Sequence, residues 1–338
     1  MKSVRYAVAG DITSLGVCEE PTPRPGRQEV LVRIHAASLN FRDHSSLGRR
    51  SSGRVKNNLV PLSDGAGEVV AVGADVGRVK IGDRVAANCL VHWIGGPKLD
   101  EYQAGSIGIS IDGMLAEYVV LHENCLVHLP AYMSYVEAAS LPCAAVSAWS
   151  ALHVGPPLTP GQTVLVQGTG GVSLFALQIA RLFGARVLAI TSTDEKAEIL
   201  KGMGAESVVN YRVNTNWHRE ILKLTEDRGV DKVIEIGGET TIEKSAASAK
   251  INGSISVLGF VGGQGGGLSP VTILQRSLTV TGIGIGSRGS FETLIAAMTE
   301  NKVRPVIDKV FPFSEYRCAF DHLKNMQHIG KVVIEMSG

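Results

Sequence analysis

The second half of the chain alternates short apolar strands with helices, and this alternation constrains the fold more than any other feature. Strands such as TVLVQ (163–167) and ARVLAIT (185–191) are separated by segments that fit helices. Strands joined by helices of about 10–15 residues are typical of a parallel sheet with helices on both faces. Because the strands are almost wholly apolar, both faces of the sheet should be buried. We therefore predict an α/β fold with a doubly wound parallel sheet.

A glycine-rich turn joins the first of these strands to its helix. In VLVQGTGGVS (164–173), Gly168, Gly170 and Ser173 occupy the three positions of the G-x-G-x-x-G fingerprint. Gly168 permits the tight turn, Gly170 lets a pyrophosphate approach the backbone, and the helix that follows directs its first amides at the phosphates. Glycines also occur in ordinary βα turns, but the strand before and the helix after favour a dinucleotide site.

The end of the second strand bears on the choice between NAD and NADP. An NAD site usually has an acid there to bind the ribose 2′-hydroxyl, whereas this chain has Thr191 and Ser192. These small side chains leave room for a 2′-phosphate, and Lys196 and Arg212 can supply positive charge. The sequence favours NADP over NAD. If Lys196 is only a solvated surface charge, the preference stays open.

The part of the chain before about residue 130 has a different pattern. Its β-branched runs, such as EVLVRIHAASL (29–39) and GEVVAVGADV (67–76), are separated by turn-rich segments. Such runs are typical of strands, and no helical periodicity of useful length accompanies them. We predict a mainly antiparallel β-barrel for this part.

Composition excludes several classes of function. Charged residues make up 19% of the 338 residues and the formal net charge is +1, so the basic surface that nucleic-acid binding requires is not expected. Pro142, Pro156, Pro157 and Pro160 interrupt the longest uncharged stretch, which argues against a membrane span. The five cysteines form no C-x-x-C pair, which fits a reducing compartment. We expect a cytoplasmic protein with a small-molecule substrate and neither nucleic acid nor membrane as partner.

Several motifs together resemble those of the medium-chain dehydrogenase/reductase superfamily. They are AASLNFRD (36–43), DGAGEVVAVGADVGRVKIGDRV (64–85), LPCAAVSAW (141–149), the turn at 168–173, TSTDEKAEILKGMGAESVVNYR (191–212) and GKVVIEM (330–336). The resemblance covers nearly the whole chain. It implies a GroES-like β-barrel catalytic domain at 1–142 that returns at 287–338, and a Rossmann NAD(P)-binding domain at 143–286. It also implies nicotinamide-dependent redox chemistry and a homodimer.

The resemblance bears on metal content as well. Zinc-using members carry cysteine where Asn40 stands, histidine where Ser63 stands and cysteine where Cys143 stands. Only Cys143 matches, and a catalytic zinc ion needs about three protein ligands; Asp64, at the position of the family's glutamate, is one further oxygen donor. We expect no metal and no zinc. The chain is most similar to the zinc-free quinone oxidoreductase-like branch, within the wider group of zinc-type alcohol dehydrogenase-like proteins.

Position by position, the resemblance implies a set of cofactor-binding residues. Ser192, Lys196 and Tyr211 match an NADPH site, and backbone groups of 258–262 should lie beside the nicotinamide. The full set is Asn40, Ser147, Gly168, Gly170, Gly171, Val172, Thr191, Ser192, Lys196, Tyr211, Gly259, Phe260 and Ile285.

The expected chemistry follows from the missing metal. Hydrogen-bond donors must then stabilise the charge that develops on the acceptor oxygen. A quinone or an α,β-unsaturated carbonyl spreads that charge, so we rank NADPH-dependent reduction of such acceptors first. A zinc-free alcohol or aldehyde dehydrogenase and an NADPH-binding protein without turnover remain alternatives. The candidate catalytic residues are Asn40, Ser63 and Arg288, although a turn-capping Asn40 and a surface Arg288 stay open. No residue is assigned as proton donor, and we interpret Cys143 as a former ligand position.

Overall fold

The computed structural model describes residues 1–8, 10–45 and 56–336. The chain divides into two compact units, one formed by Met1–Val146 with Ser287–Gly338 and the other by Ser147–Gly286. The chain passes from the second unit back to the first before residue 287, at the position predicted from the sequence. The chain first passes from one unit to the other after Val146, beyond the predicted border at 142/143. Cys143 therefore belongs to the first unit and not to the nucleotide-binding one.

Strands and helices follow one another along the described chain. The strands are β1 (Lys2–Tyr6), β2 (Leu15–Glu19), β3 (Glu29–Ser38), β4 (Asp64–Val72), β5 (Arg84–Ala87), β6 (Tyr118–His122), β7 (Leu126–His128), β8 (Thr163–Gln167), β9 (Arg186–Thr191), β10 (Ser207–Asn210), β11 (Val230–Glu235), β12 (Ala249–Val257), β13 (Thr279–Gly282), β14 (Ile307–Pro312) and β15 (Lys331–Glu335). The α-helices are α1 (Phe41–Ser45), α2 (Tyr135–Ala139), α3 (Val146–His153), α4 (Gly171–Leu182), α5 (Asp194–Gly202), α6 (Trp217–Leu224), α7 (Ile242–Ser248), α8 (Pro270–Arg276), α9 (Arg288–Glu300) and α10 (Tyr316–Lys324). Short 3₁₀-helices lie at Ile12–Ser14, Asp100–Gly105, Glu123–Cys125, Gly238–Thr240 and Phe313–Glu315.

The main sheet of the first unit has β3 at its centre. Its order is β14-β15-β3-β4-β5-β7, and β6 also pairs with β3. The pairing is antiparallel apart from β14 with β15, which agrees with the predicted antiparallel β-structure. Near the end of β3, Ser38 pairs with Asp64 on one side and with Val333 on the other. The starts of β4 and β15 therefore lie on either side of the carboxyl end of β3.

The stretch from Tyr135 to His153 is helical but is broken into pieces. Helix α2 begins with a capping box in which Ser134 and Glu137 each accept a backbone hydrogen bond from the other. Leu141–Ala145 then forms a π-helical turn before α3 begins. Pro142 explains the break, because its ring nitrogen has no hydrogen to donate and its ring disturbs the preceding turn. This break leaves the backbone N–H of Cys143 free to bond outside the helix.

The second unit contains the predicted doubly wound sheet. Six parallel strands follow the order β10-β9-β8-β11-β12-β13, and every residue of β8 is buried. The edge strand β13 is short, since only Thr279–Gly282 pairs with β12. Because parallel strands end at one edge, the turns after β8, β9, β10, β11 and β12 all lie together. The strand order reverses at β8, where ligands of such sheets bind.

Within the described residues, we find no helix with both the length and the apolar character needed to cross a bilayer.

Lys232 is a buried charge in the sheet of the second unit. It lies in β11, is 2% exposed, and donates to the carbonyl oxygen of Ala151 at 3.3 Å. Burial lowers the pKa of Lys232 to about 8 from its usual 10.5. Below that pKa both the folded and the unfolded chain carry the charge, so the folded state keeps the full cost of burying it.

We expect Lys232→Met to raise the free energy of unfolding at pH 7 by up to about 3 kcal/mol. The stability of the wild type should rise as pH rises from about 8 towards 10.5, because there the unfolded lysine binds more protons than the folded one. The variant should lack this rise. Urea unfolding at pH 7 and pH 10 measures both effects, with the exposed Lys223→Met on α6 as control. A Lys232→Met gain that is the same at both pH values would contradict this account.

Candidate functional site

The glycine turn after β8 has the geometry that a pyrophosphate requires. Gly168 has φ +73°, a left-handed conformation that favours glycine. A Cβ built on Gly168 or Gly170 would meet no heavy atom within 4 Å, so space remains open where phosphates approach. Gly170 is the N-cap of α4 and makes no side-chain cap hydrogen bond, which leaves the first amides of the helix available. Gly171 and Val172 are its first two residues.

Ser173 does not weaken this turn. Its side chain is fully buried and its hydroxyl donates to the carbonyl oxygen of Gln167 at 2.5 Å. The serine therefore packs back onto the end of β8 and does not enter the space above the glycines. A small residue is what this position needs for contact between helix and strand.

The residues expected from the sequence to favour NADP lie at and after the ends of the neighbouring strands. Thr191 ends β9, is 1% exposed, and its hydroxyl has no hydrogen-bond partner among the described residues. Ser192 follows it, and Tyr211 follows β10 and is 38% exposed. Asp194, the first carboxylate after β9 in the sequence, accepts a hydrogen bond from the amide of Asn210 at 2.8 Å. The strand end itself has Thr191 and Ser192 where an NAD site usually has an acid.

Lys196 and Arg212 lie at the same edge. The backbone N–H of Lys196 donates to Thr193, the N-cap of α5, and its side chain is half-buried. Arg212 is exposed. Lys196 thus lies in the first turn of α5, shortly after β9, and Arg212 lies in the turn after β10, where a 2′-phosphate would need them.

The turn after β11 and the turn after β12 hold each other. Buried Glu235 accepts hydrogen bonds from the backbone N–H groups of Gly237 and Gly238, and Gly262 donates to the carbonyl of Gly237. A Cβ on Gly259 would approach the carbonyl oxygen of Ile236 to 2.9 Å. The close backbone approach explains the glycine at 259, beside which Phe260 is 39% exposed.

Two further predicted cofactor residues lie near the ends of this unit. Ser147 is 7% exposed, and Ile285 has φ +68°. A left-handed conformation is unusual for a β-branched residue, and such strain is found most often at functional sites. This backbone outlier is an independent reason to keep Ile285 in the candidate site.

A second polar cluster lies in the first unit and centres on Asp64. This carboxylate is fully buried at the start of β4. Its Oδ1 accepts hydrogen bonds from the hydroxyl of Ser63 at 2.7 Å and the thiol of Cys89 at 3.4 Å. Its Oδ2 accepts one from the backbone N–H of Cys143 at 3.0 Å. We call these residues, Ser63, Asp64, Cys89 and Cys143, the Asp64 cluster.

Asn40 lies beside this cluster and is bound by a buried lysine. Lys331, the first residue of β15, is 3% exposed. Its ammonium donates to Asn40 Oδ1 at 2.5 Å and to the carbonyl oxygen of Leu39 at 2.6 Å, and it lies 3.9 Å from Asp64 Oδ2. Asn40 is 7% exposed, and its Nδ2 has no hydrogen-bond partner among the residues that the structure describes. The nitrogen of the Asn40 amide can therefore donate a hydrogen bond to a bound molecule.

Two more charged groups surround Asn40. The carboxylate of Asp43 accepts a hydrogen bond from the backbone N–H of Asn40 at 2.8 Å. Burial raises the pKa of Asp43 to about 7, although Arg42 and this hydrogen bond oppose the rise. Arg42 interacts electrostatically with Asp43, Asp64 and both thiols, and donates to Ser106 at 3.0 Å. The site therefore contains two cations and two carboxylates.

The Asp64 cluster also tests the expectation that no metal is bound. The ligand atoms of Asp64, Cys89 and Cys143 all lie within 4.8 Å of one another, and donors around tetrahedral zinc are about 3.3–3.8 Å apart. The sequence argument that only one thiol is available therefore does not hold, because Cys89 lies next to Cys143. In number and type these donors fit zinc. Asp64, however, already accepts hydrogen bonds from the thiol of Cys89 and from the backbone N–H of Cys143.

The protonation of Cys89 bears on the same question. The hydrogen bond with Cys143, burial and the charge of Asp64 raise the pKa of Cys89 well above its usual value. A zinc ligand must be a thiolate. A bound ion would therefore have to displace the thiol proton of Cys89.

The three candidate catalytic residues have different surroundings. Asn40 has a side-chain nitrogen without a hydrogen-bond partner among the described residues, and the hydroxyl of Ser63 donates to Asp64 within the cluster. Arg288 begins α9, donates to the carbonyl oxygen of Asn124 at 3.0 Å, and pairs with Glu292. These contacts are those of a structural arginine. The sequence reasoning missed Lys331, although GKVVIEM was among the quoted motifs, and it did not place Cys89 at the site.

Comparison with known proteins identifies both units. A model described as an alcohol dehydrogenase GroES-like domain matches residues 26–131, and one described as a zinc-binding dehydrogenase matches residues 171–300. A zinc-type alcohol dehydrogenase-like protein of Schizosaccharomyces pombe is 40% identical, over 99% of each chain. Quinone oxidoreductase-like protein 2 of Bos taurus is 29% identical, over 99% of this chain and 93% of its own length.

Solved structures give the same result. A putative alcohol dehydrogenase from Sinorhizobium meliloti matches with a TM-score of 0.91 and 36% identity, over 99% of this chain and 98% of its own. A mycobacterial protein solved in complex with NADPH matches with a TM-score of 0.83 and 25% identity, over 99% of this chain and 100% of its own. The fold predicted from the sequence is confirmed for both units.

Proposed function

Because this chain belongs to the medium-chain dehydrogenase/reductase superfamily of oxidoreductases, we propose that it uses NADPH to reduce a quinone or an α,β-unsaturated carbonyl, without zinc. One observation carries the proposal. Asn40 Nδ2 is a buried hydrogen-bond donor without a partner among the described residues, while the other end of the same amide is bound to Lys331. A native protein keeps such a donor unpaired for a reason, and the oxygen of an acceptor supplies one.

The residues of the second unit would hold the cofactor, whose reduced nicotinamide supplies the hydride when it is bound. The pyrophosphate would lie over Gly168 and Gly170, against the first amides of α4. Ser192 and Arg212 would take the 2′-phosphate, since β9 ends in Thr191 and Ser192 follows it, with no acid at either position. The NADPH complex of the mycobacterial neighbour supports this choice of cofactor.

The residues of the first unit would handle the acceptor. As the hydride arrives, negative charge grows on the acceptor oxygen, and Asn40 Nδ2 donates a hydrogen bond to it. A hydroquinone or enolate delocalises the developing charge and needs less stabilisation from the protein, so one neutral donor suffices there but not for the concentrated charge of a simple alkoxide. The name of the bovine relative supports a quinone as acceptor.

A second candidate function is favoured by the donors around Asp64. Asp64, Cys89 and Cys143 could hold a zinc ion, and zinc would polarise a carbonyl oxygen, as an alcohol dehydrogenase requires. This candidate is ranked second because Asp64 already accepts hydrogen bonds from Ser63, Cys89 and the backbone of Cys143.

Purified protein should oxidise NADPH with 9,10-phenanthrenequinone or 2-hexenal, at least about tenfold faster in kcat/KM than with hexanal or with NADH. Absorbance at the nicotinamide band measures each rate, and elemental analysis of the same sample measures zinc. Arg212→Ala should weaken the binding of NADPH and leave the affinity for NADH unchanged. Turnover of hexanal alone, or about one zinc per chain, would overturn the first candidate in favour of the second. Tight NADPH binding without turnover of any acceptor would favour a binding protein.

The homodimer and the cytoplasmic location remain part of this proposal. They rest on the family resemblance and on the five scattered cysteines, all of which are free thiols.

A further inference from the structure

We infer that Lys331 is a positioning residue that orients the Asn40 amide so that Nδ2 is presented to the acceptor oxygen. The inference rests on the proposed function and names a residue that the family positions did not supply. It starts from the contacts of the ammonium group, which donates to Asn40 Oδ1 at 2.5 Å and to the carbonyl oxygen of Leu39 at 2.6 Å.

The chemistry of lysine decides which way the amide faces. An ammonium group has donors and no acceptor, whereas a carboxamide has an oxygen that accepts and a nitrogen that donates. Lys331 can therefore bind only the oxygen of Asn40. Rotation of the amide by half a turn would place its NH2 group against the ammonium. This contact keeps Nδ2 on the side away from Lys331.

Sheet register explains why this lysine reaches Asn40. Strands β15 and β3 are antiparallel, with Val333 opposite Ser38, and the backbone N–H of Leu39 donates to the carbonyl of Val332. Lys331 consequently lies level with the residues that follow β3. The backbone of Asn40 is bound separately, through its N–H to Asp43, so the side chain and the main chain of Asn40 have different anchors.

The charge of Lys331 adds to the effect of its position. The ammonium is 3% exposed, and the nearest carboxylate oxygen, Asp64 Oδ2, is 3.9 Å away. A hydrogen bond from a cation to the amide oxygen polarises the whole amide and makes its N–H a stronger donor. Lys331 would thus act on the acceptor through Asn40, without touching the acceptor itself.

A double-mutant cycle separates this role from a purely structural one. We expect Lys331→Met to lower kcat for 9,10-phenanthrenequinone about 10- to 100-fold, with little change in KM or in the NADPH dissociation constant. In an Asn40→Leu background the same substitution should lower kcat less than about threefold, because the residue it orients is gone. Lys331→Arg, which keeps a cation with donors only, should recover part of the loss.

The matched control is Lys309→Met. Lys309 is an exposed lysine on β14, and it pairs in register with Val332 of β15. It should change kcat less than about twofold, because it lies on the same sheet without contacting Asn40. Equal losses from Lys331→Met in the two backgrounds would overturn the inference.

A second measurement does not depend on turnover. The side-chain NH2 resonances of Asn40 in a ¹⁵N–¹H spectrum are assigned by their loss in Asn40→Leu. They should shift in Lys331→Met and stay in place in Lys309→Met. Unchanged Asn40 resonances in folded Lys331→Met would contradict the inference. If the wild type reduces no quinone or enone, the proposed function fails, while the spectrum still decides whether Lys331 orients the amide.

Discussion

Asn40→Leu should lower kcat for quinone reduction by about 100-fold, and Asn40→Asp by a similar factor. Leucine removes the amide at nearly constant volume, and aspartate keeps the shape while replacing the donor that has no partner in the described structure. Loss of one donor aimed at a developing oxyanion has this size of effect, since the charge is stabilised mainly in the transition state. Initial rates with 9,10-phenanthrenequinone at saturating NADPH measure it.

The controls for this prediction separate effects on the fold from effects on the cofactor. NADPH affinity, measured by fluorescence titration, should stay within about threefold of wild type if Asn40 acts on the acceptor. A large loss of NADPH affinity would instead assign Asn40 to the nicotinamide, which is the role that its family position also allows. Asn325→Leu, in an exposed residue at the end of α10, should change neither quantity. Unchanged kcat in both Asn40 variants would remove the basis of the proposed function.

Gly170→Asp should weaken NADPH binding at least about 100-fold, which corresponds to about 2.7 kcal/mol. A carboxylate at this position would occupy the space that the pyrophosphate needs and would repel its charge. The substitution should not harm the fold, because the built Cβ meets no heavy atom within 4 Å, φ is −73°, and the residue is the N-cap of α4. Aspartate is a preferred N-cap residue, so the helix should be as stable as before or more so.

Two variants complete this experiment. Gly170→Ala adds only a methyl group and should give an intermediate loss of affinity. Gly16→Asp adds the same charge in β2 of the other unit, also at a glycine with open space around it, and should leave NADPH binding unchanged. Titration of each variant with NADPH, together with its thermal unfolding temperature, measures the two effects. Wild-type affinity in Gly170→Asp would mean that the cofactor binds elsewhere.

Much of the nucleotide-binding unit could be predicted from the sequence. Its signals are local: the apolar strand β8, the glycines at 168 and 170 and the helix after them are contiguous, and each imposes its own backbone conformation. The same holds for Thr191 at the end of the next strand. The border between the two units was predicted less accurately than the phosphate turn. The first unit ends at Val146, beyond the predicted border at 142/143.

The polar site of the first unit depended on tertiary structure. Asn40 is a candidate from its motif, but the orientation of its side-chain nitrogen depends on Lys331, which binds the oxygen of the same amide. Cys89 and Cys143 are isolated cysteines in the sequence, whereas Asp64 brings them together in the fold. The inference that only one thiol was available failed for this reason.

The sequence by itself determined the fold of both units, the position of the phosphate turn and the family, because these follow from short-range patterns and contiguous motifs. Only the tertiary structure decided which distant residues share the site. Asn40, Asp64 and Lys331 belong to three different stretches of the chain, and the antiparallel pairing of β3 with β4 and β15 places them together. Register between strands is set by packing of the whole sheet, and no local pattern specifies it.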